Sequence, residues 1–163
     1  MIILICGLPG SGKTYFAKAL ASYMGIDHIN TDSVRKSINK MSKYDRKSKD
    51  EVYDELFNRA IKIHKSKEAV IIDATFMNAR HRIPYYDLSR QSNIKLKIIL
   101  LIADEEIIFE RLKKNRPDSE ADFGVYTNIK AQFEPIERNY LALQSDQFAL
   151  NEMIKSALNF IQE

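Results

Sequence analysis

Residues 7–14, with the sequence GLPGSGKT, constrain the fold of this chain more than any other stretch. They follow the continuous apolar run of residues 2–6, which is typical of a buried strand, and lead into a segment with helical spacing of apolar residues. Glycines at these spacings let the backbone turn sharply and direct several N–H groups onto phosphates. The pattern predicts a P-loop in which Lys13 reaches the β- and γ-phosphates of a nucleotide and Thr14 holds Mg²⁺. The residues expected to surround the phosphates are Gly7, Leu8, Pro9, Gly10, Ser11, Gly12, Lys13 and Thr14.

Apolar runs and helical patterns alternate along the rest of the chain, which predicts a parallel sheet with helices on both faces. The predicted strands cover residues 2–6, 27–32, 69–73, 94–102 and 147–150. The predicted helices cover residues 13–24, 33–39, 48–65, 79–90, 104–115 and 125–143, and a final helix follows a cap at Asn151. We therefore expect a three-layer α/β fold with about five parallel strands, forming a single domain over residues 1–163.

Length and composition exclude several classes of protein. A chain of 163 residues accommodates one core, and Cys6, its only cysteine, excludes an intramolecular disulfide and a cysteine-based metal site. The apolar start is too short for a signal peptide, and no run approaches the roughly 18 apolar residues of a membrane helix. We expect a soluble cytoplasmic protein with no obligate protein partner. The net charge of +3 permits an anionic partner without requiring one.

Two acidic residues are expected beside the P-loop, because parallel strands present their carboxyl ends at one edge of the sheet. Asp73 ends the apolar run AVIID, so it is predicted to support the Mg²⁺ ion; the alternative is an ordinary turn acid. Asp32 ends the preceding predicted strand and is the candidate general base for an acceptor hydroxyl, or the group that orients it. Its alternative is a helix cap. Arg35, three residues on, is expected to share a helix face with Asp32 and to orient an acceptor that carries a phosphate or carboxylate.

Cations follow the fourth predicted strand in residues 109–122, FERLKKNRPDSEAD. Arg111 and Arg116 are predicted to stabilise the charge that develops on a transferred phosphoryl group, with Lys113 and Lys114 as rivals for the second position. A mobile helical lid over about residues 104–124 would also exclude water, which favours transfer to an acceptor over hydrolysis. The alternative is a solvated helix end.

The motifs in this order resemble the P-loop kinases that include the phage-type polynucleotide 5′-hydroxyl kinases. The resemblance covers about residues 1–140 and rests on GLPGSGKT, NTDSVRKSI (30–38), VIIDATFMNARHR (70–82) and FERLKKNR (109–116). It implies ATP, Mg²⁺ and transfer of the γ-phosphate to a hydroxyl. The family's acceptor-site Asp and Arg correspond to Asp32 and Arg35, and its lid arginines to Arg111 and Arg116, although the lid spacing here is one residue longer. DSEAD (118–122) and AQFEP (131–135) also resemble a wider set of small kinases with diverse acceptors.

The acceptor is the least determined part of the prediction. The basic segment of residues 35–51 favours a polynucleotide 5′-hydroxyl, with Tyr44 and Phe76 as candidates for stacking on a base. The alternative is a small metabolite, antibiotic or sugar-nucleotide, in which case the basic segment is a solvated loop and helix start. A nucleotide-dependent switch is a third possibility. The sequence contains no motif that distinguishes ATP from GTP.

Overall fold

The computed structural model of this chain describes residues 1–40, 45–115 and 121–163. In chain order, its strands and helices are β1 (Ile2–Gly7), α1 (Lys13–Met24), β2 (Asp27–Asn30), α2 (Thr31–Ser37), α3 (Arg46–Lys67), β3 (Val70–Asp73), α4 (Ala79–Ser92), β4 (Leu96–Ile102), α5 (Glu105–Asn115), α6 (Ala121–Ala131), β5 (Leu141–Gln144) and α7 (Leu150–Gln162). Across the described ranges, no helix is both long and apolar enough to span a membrane.

Within these ranges the strands form one five-stranded sheet in the order β2-β3-β1-β4-β5. Every pairing in it is parallel, so the carboxyl ends of all five strands lie at one edge. The register places Asn30 beside Asp73 and Gly7 beside Leu101 at that edge. The prediction of a five-stranded parallel P-loop fold is therefore confirmed, and β1, which leads into the P-loop, is the central strand.

Alternation along β1 divides the core into two layers. Ile3 and Ile5 contribute to the core that includes residues of α1 and α7. Ile2, Leu4 and Cys6 contribute to the core on the opposite face, under α2, α3 and α4. Because side chains alternate between the faces of a strand, a fully buried strand must be apolar at every position, as β1 is.

The carboxyl-terminal third differs from the sequence prediction. The helix expected over residues 125–143 ends at Ala131, and Pro135 lies in the connection that follows, so the chain breaks where proline would remove a helical hydrogen bond. The last strand is residues 141–144 rather than 147–150. The final helix begins at Leu150, and Ala149 rather than Asn151 is the capping residue.

Candidate active site

Glycine backbones shape the P-loop where it leaves β1. Gly7 has a φ of +145°, and a Cβ added there would lie 2.4 Å from the carbonyl oxygen of Leu101 on β4. Gly12 has a φ of +85°, in the left-handed region, and ends the loop as the residue that precedes α1. A side chain at either position would be strained. Glycine at position 7 lets the backbone pass close to β4, and glycine at position 12 lets it turn into α1.

The amino-terminal end of α1 is available to an anion. Its capping residue is Gly12, no side chain caps it with a hydrogen bond, and its first turn contains no acidic residue. The first N–H groups of a helix lack partners within the helix and carry partial positive charge. The Lys13 ammonium adds a full positive charge and donates to the Leu8 carbonyl at 2.8 Å. Burial lowers the pKa of Lys13 below its ordinary value, with Asp73 and Asp32 acting in the opposite direction.

Thr14 and Asp73 meet across the sheet edge. The Thr14 hydroxyl donates to Asp73 Oδ2 at 2.6 Å, and the Asp73 side chain is buried. A third residue, His28 of β2, places its Nε2 3.5 Å from the same carboxylate oxygen. Asp73 therefore contacts the P-loop threonine directly, which an ordinary turn acid would not do. The position of His28 could not be predicted from the sequence, because a histidine on a short strand carries no specific signal.

Asp32 lies in the first turn of α2, after β2 has ended at Asn30. The helix cap is Asn30, whose side chain accepts from the Ser33 N–H at 2.8 Å, and Ser33 completes a capping box. The alternative interpretation of Asp32 as the cap is therefore wrong. The Asp32 side chain is exposed and close enough to Lys13 to affect its pKa.

Arg35 is buried on α2, with 6% of its surface exposed. Its Nη1 donates to the Lys40 carbonyl at 3.4 Å, so the side chain supports the turn that follows α2. Lys40 in turn forms an ion pair with Glu51 of α3. Two cations of the basic segment are thus engaged within the protein, and the role of Arg35 toward an acceptor stays a prediction.

Arg111 of α5 connects the P-loop to the loop after β5. Its Nη1 donates to the Gly10 carbonyl at 3.3 Å and to Ser145 Oγ at 2.9 Å, and its Nη2 donates to the Ser145 carbonyl at 3.2 Å. Ser145 Oγ donates to the Ser11 carbonyl at 2.8 Å. The guanidinium predicted to stabilise a transferred phosphoryl group therefore lies on the P-loop. Ser145 was missed in the sequence because the preceding strand was placed too late.

A cavity of about 420 Å³ lies on the β5 side of the P-loop. Its wall includes Tyr15 of α1, Phe148 and Arg111, and both aromatic side chains are more than half exposed. Cavities of this size hold small organic ligands, and aromatic faces stack on nucleobases. The size and aromatic wall of this cavity, which we call the base cavity, would suit the base and ribose of a nucleotide whose phosphates lay on the P-loop.

The loop after β3 is held in a strained conformation. Phe76 has a φ of +50° and is completely buried, and its N–H donates to the Tyr53 hydroxyl at 3.1 Å.

The Arg82 guanidinium, 1% exposed, donates to the Phe76 carbonyl at 2.7 Å and to the carbonyls of Glu134 and Pro135. The carboxylate of Glu134 accepts from the Ala79 N–H at the start of α4. The AQFEP segment therefore supports the loop that follows Asp73.

Replacing Arg82 with methionine should destabilise the fold. Methionine retains the apolar length of the side chain but leaves three carbonyl groups without their donor, so we expect the free energy of unfolding to fall by about 2 kcal/mol. Urea denaturation measures this. The matched control is Arg90→Met on the same helix, where an exposed pair with Asp87 is lost and the expected change is below about 0.5 kcal/mol. Equal losses of unfolding free energy in the two variants would contradict the conclusion that Arg82 stabilises the loop after β3.

The donor groups fit ATP and Mg²⁺. The loop provides a backbone cradle that a Cβ would obstruct at Gly7, beside an uncapped helix terminus and an ammonium group. The Thr14 hydroxyl and the Asp73 carboxylate are the oxygen donors that Mg²⁺ prefers, alone or through bound water. These two residues would hold the ion, and Gly7–Thr14 would hold the phosphates.

Some predicted residues lie elsewhere or outside the described residues. Arg116 and Tyr44 are outside them. Phe76 is completely buried, so its proposed stacking on a base is wrong. His81, which follows the same loop, is 8% exposed and stacks on Tyr53 with ring centroids 3.7 Å apart. Lys113 and Lys114 are exposed near the end of α5.

Comparisons with solved structures identify similar folds over nearly the whole chain. The gluconokinase from Sinorhizobium meliloti 1021 is 20% identical, with 98% of this chain and 90% of that chain covered and a TM-score of 0.74. A sugar kinase from Janibacter sp. HTCC2649 is 18% identical, with 99% and 94% covered and a TM-score of 0.74. The APS kinase from Mycobacterium tuberculosis, in complex with AMPPNP and APS, is 17% identical, with 99% and 97% covered and a TM-score of 0.79.

The search of curated proteins gives no match for this chain. At the identities of the solved structures, the likeness shows the fold, which is that of P-loop kinases. The family model AAA_33, described as an AAA domain, matches residues 2–136. Because this match covers more than half of the sequence, the chain belongs to the AAA_33 family.

Proposed function

We propose that this protein is an ATP- and Mg²⁺-dependent kinase that transfers the γ-phosphate to a hydroxyl group of a small metabolite. The observation that carries the proposal is the arrangement around the P-loop: Thr14 contacts Asp73, Arg111 lies on the loop, and Asp32 is exposed in the first turn of α2, which follows β2 at the same sheet edge. A site that only bound nucleotide would not need Asp32, an exposed carboxylate whose charge acts on the P-loop residue Lys13.

Each residue has one role in the proposed reaction. Lys13 and the loop N–H groups bind the β- and γ-phosphates. Thr14 and Asp73 would hold Mg²⁺, which would supply positive charge to the phosphates. Asp32 accepts the proton of the acceptor hydroxyl as its oxygen bonds to the γ-phosphorus. The bond from that phosphorus to the β–γ bridging oxygen breaks, and ADP leaves. Arg111 stabilises the charge on the phosphoryl group, for which it must turn from the Gly10 carbonyl toward the phosphates.

A small acceptor is supported better than a polynucleotide. The similar structures named above are a gluconokinase, a sugar kinase and an APS kinase. The basic segment is also less available than the sequence suggested, because Arg35 is buried and Lys40 is paired with Glu51. Buried or paired cations contribute little to the attraction of a polyanion.

Removing the aromatic wall of the cavity should weaken nucleotide binding. Stacking on one base is worth about 1–3 kcal/mol, so we expect Tyr15→Ala or Phe148→Ala to raise the Kd of Mg·ATP about tenfold. Isothermal titration measures this, with inorganic triphosphate as a ligand that lacks the base and should bind unchanged. Tyr23→Ala is the matched control, because Tyr23 is equally exposed on the same helix, outside the cavity wall. An equal loss of affinity for ATP and for triphosphate would contradict binding of the base in this cavity.

The acceptor class is tested by measuring ADP formation with Mg·ATP and a panel of acceptors. The panel contains sugars, sugar acids, nucleosides and an oligonucleotide with a 5′-hydroxyl. We expect a small hydroxyl compound to accelerate ADP release, with no acceleration when Mg²⁺ is chelated. Acceleration by the oligonucleotide alone, or turnover that no acceptor changes, would reject the proposal.

A further inference from the structure

A second, polar cavity lies between the first turns of α3 and α4. It has a volume of about 330 Å³ and is lined by Arg46, Asn78, Arg80 and Glu134. None of these residues belongs to the P-loop or contacts the base cavity. The composition of the wall, two guanidinium groups with one amide and one carboxylate, suits a charged polar ligand.

The loop after β3 places this cavity on the acceptor side of the sheet edge. Asn78 and Arg80 follow Asp73 through that loop, whereas the base cavity uses the loop after β5, on the other side of β1. Tyr53 links the cavity wall to the acidic edge, because its hydroxyl accepts from Phe76 and its ring stacks on His81, the neighbour of Arg80. Burial raises the pKa of Tyr53, and the charges of Asp73 and Arg35 also act on it, which indicates that both are near.

The guanidinium groups in the cavity are not fully used by the protein. Arg80 pairs with Asp50 through Nη2 at 2.8 Å, but its buried Nε has no hydrogen-bond partner within the described residues. Arg46 is exposed, and it forms no ion pair with any residue that the structure describes. Arg46 also begins α3, where the helix dipole disfavours a cation and where the first turn has no acidic residue. The carboxylate of Glu134 is occupied by the Ala79 N–H.

We propose that the acceptor carries an anionic group, a carboxylate or a phosphate, which binds between Arg46 and Arg80 while the acceptor hydroxyl faces Asp32. The inference rests on the proposed kinase function and specifies its substrate class. Guanidinium groups bind carboxylates and phosphates through paired, charge-assisted hydrogen bonds, and the amide of Asn78 supplies a further donor. The position is a binding subsite and takes no part in the bond changes.

Matched acceptors test the charge directly. Initial rates with labelled ATP are compared for aldonates, sugar phosphates and the uncharged alditols of the same carbon number. The variants are Arg46→Gln and Arg80→Gln, and the control is Arg90→Gln, which removes an exposed arginine of α4 outside this cavity. Because hydrogen bonds to charged groups are strong, we expect KM for the anionic acceptor to rise at least about tenfold in both variants, with kcat within about threefold. The aldonate and sugar-phosphate series decide between the two anions. Equal use of anionic and uncharged acceptors, or variants that match Arg90→Gln, would overturn the inference.

Anion binding can also be measured without turnover. Inorganic phosphate is titrated into the protein saturated with Mg·AMPPNP, which occupies the P-loop. We expect binding in the wild type and in Arg90→Gln, and affinity lowered at least about tenfold in Arg46→Gln and Arg80→Gln. Arg46 is exposed, so its variant tests the site even if loss of the Arg80–Asp50 pair affects folding. No phosphate binding, or equal binding in all proteins, would overturn the subsite. Transfer to alditols alone would reject the subsite and retain the kinase, whereas phosphate binding without transfer to any acceptor would retain the subsite and reject the kinase.

Discussion

Replacing Lys13 with methionine is expected to lower kcat for phosphoryl transfer about 1,000-fold, one of the two largest effects that we expect from a single change in this protein. The ammonium is the one full positive charge that the P-loop itself contributes, and cations positioned on the transferring group act mainly in the transition state. Stability should not fall in parallel. Because burial lowers the pKa of Lys13, its charged form is disfavoured by folding, and methionine fills similar space without that cost.

Lys18→Met is the matched control, since Lys18 is exposed on the same helix. Rates under saturating ATP and acceptor are compared with melting temperatures for both variants. Wild-type kcat in Lys13→Met would contradict the account, and so would a loss of activity explained by a melting temperature far below that of Lys18→Met.

Replacing Asp32 with asparagine should reduce the rate of transfer to the acceptor by about 100- to 10,000-fold, the range that general acid–base groups contribute. The affinity for Mg·ATP should change less than about twofold, because Asp32 is exposed at the start of α2 and the phosphates are bound by the P-loop. Asparagine keeps the shape of the side chain, and the helix remains capped by Asn30. Single-turnover rates and titration of ATP separate the two effects.

Asp27→Asn, at the opposite end of β2, is the control for a loss of negative charge. It removes an exposed ion pair with Lys67 and should change neither the transfer rate nor the affinity for Mg·ATP. If Asp32→Asn retained transfer within about fivefold of the wild type, Asp32 would orient the acceptor at most, and another group would have to accept the proton.

The central part of the site could be predicted from the sequence because it follows from local pattern and topology. The spacing of residues 7–14 requires a specific loop, and the rule that parallel strands end at one edge brings Asp73 to Thr14. Asp32 could be placed near this edge for the same reason, although the strand ends earlier than expected and a helix begins before the carboxylate.

The supporting contacts could not be predicted because they join segments far apart in the chain. In the sequence, Arg82 resembles an ordinary surface arginine of a helix. In the structure it donates hydrogen bonds to the carbonyls of Phe76, Glu134 and Pro135. The hydrogen bonds between Arg111 and Ser145 could not be predicted, because Leu141 and Leu143 fit a helical pattern as well as a strand. Pro135 was the available signal that the helix ends before them.

The fate of the labelled γ-phosphate tests the central claim, transfer to a hydroxyl group rather than to water. The protein is incubated with γ-labelled ATP, Mg²⁺ and an equimolar mixture of small sugar acids, sugar phosphates and alditols, and the label is separated into inorganic phosphate and organic phosphate esters. The account predicts that most of the label appears in a small phosphate ester and that release of inorganic phosphate is slow without acceptors. Label found only in inorganic phosphate, at a rate that acceptors do not change, would contradict it.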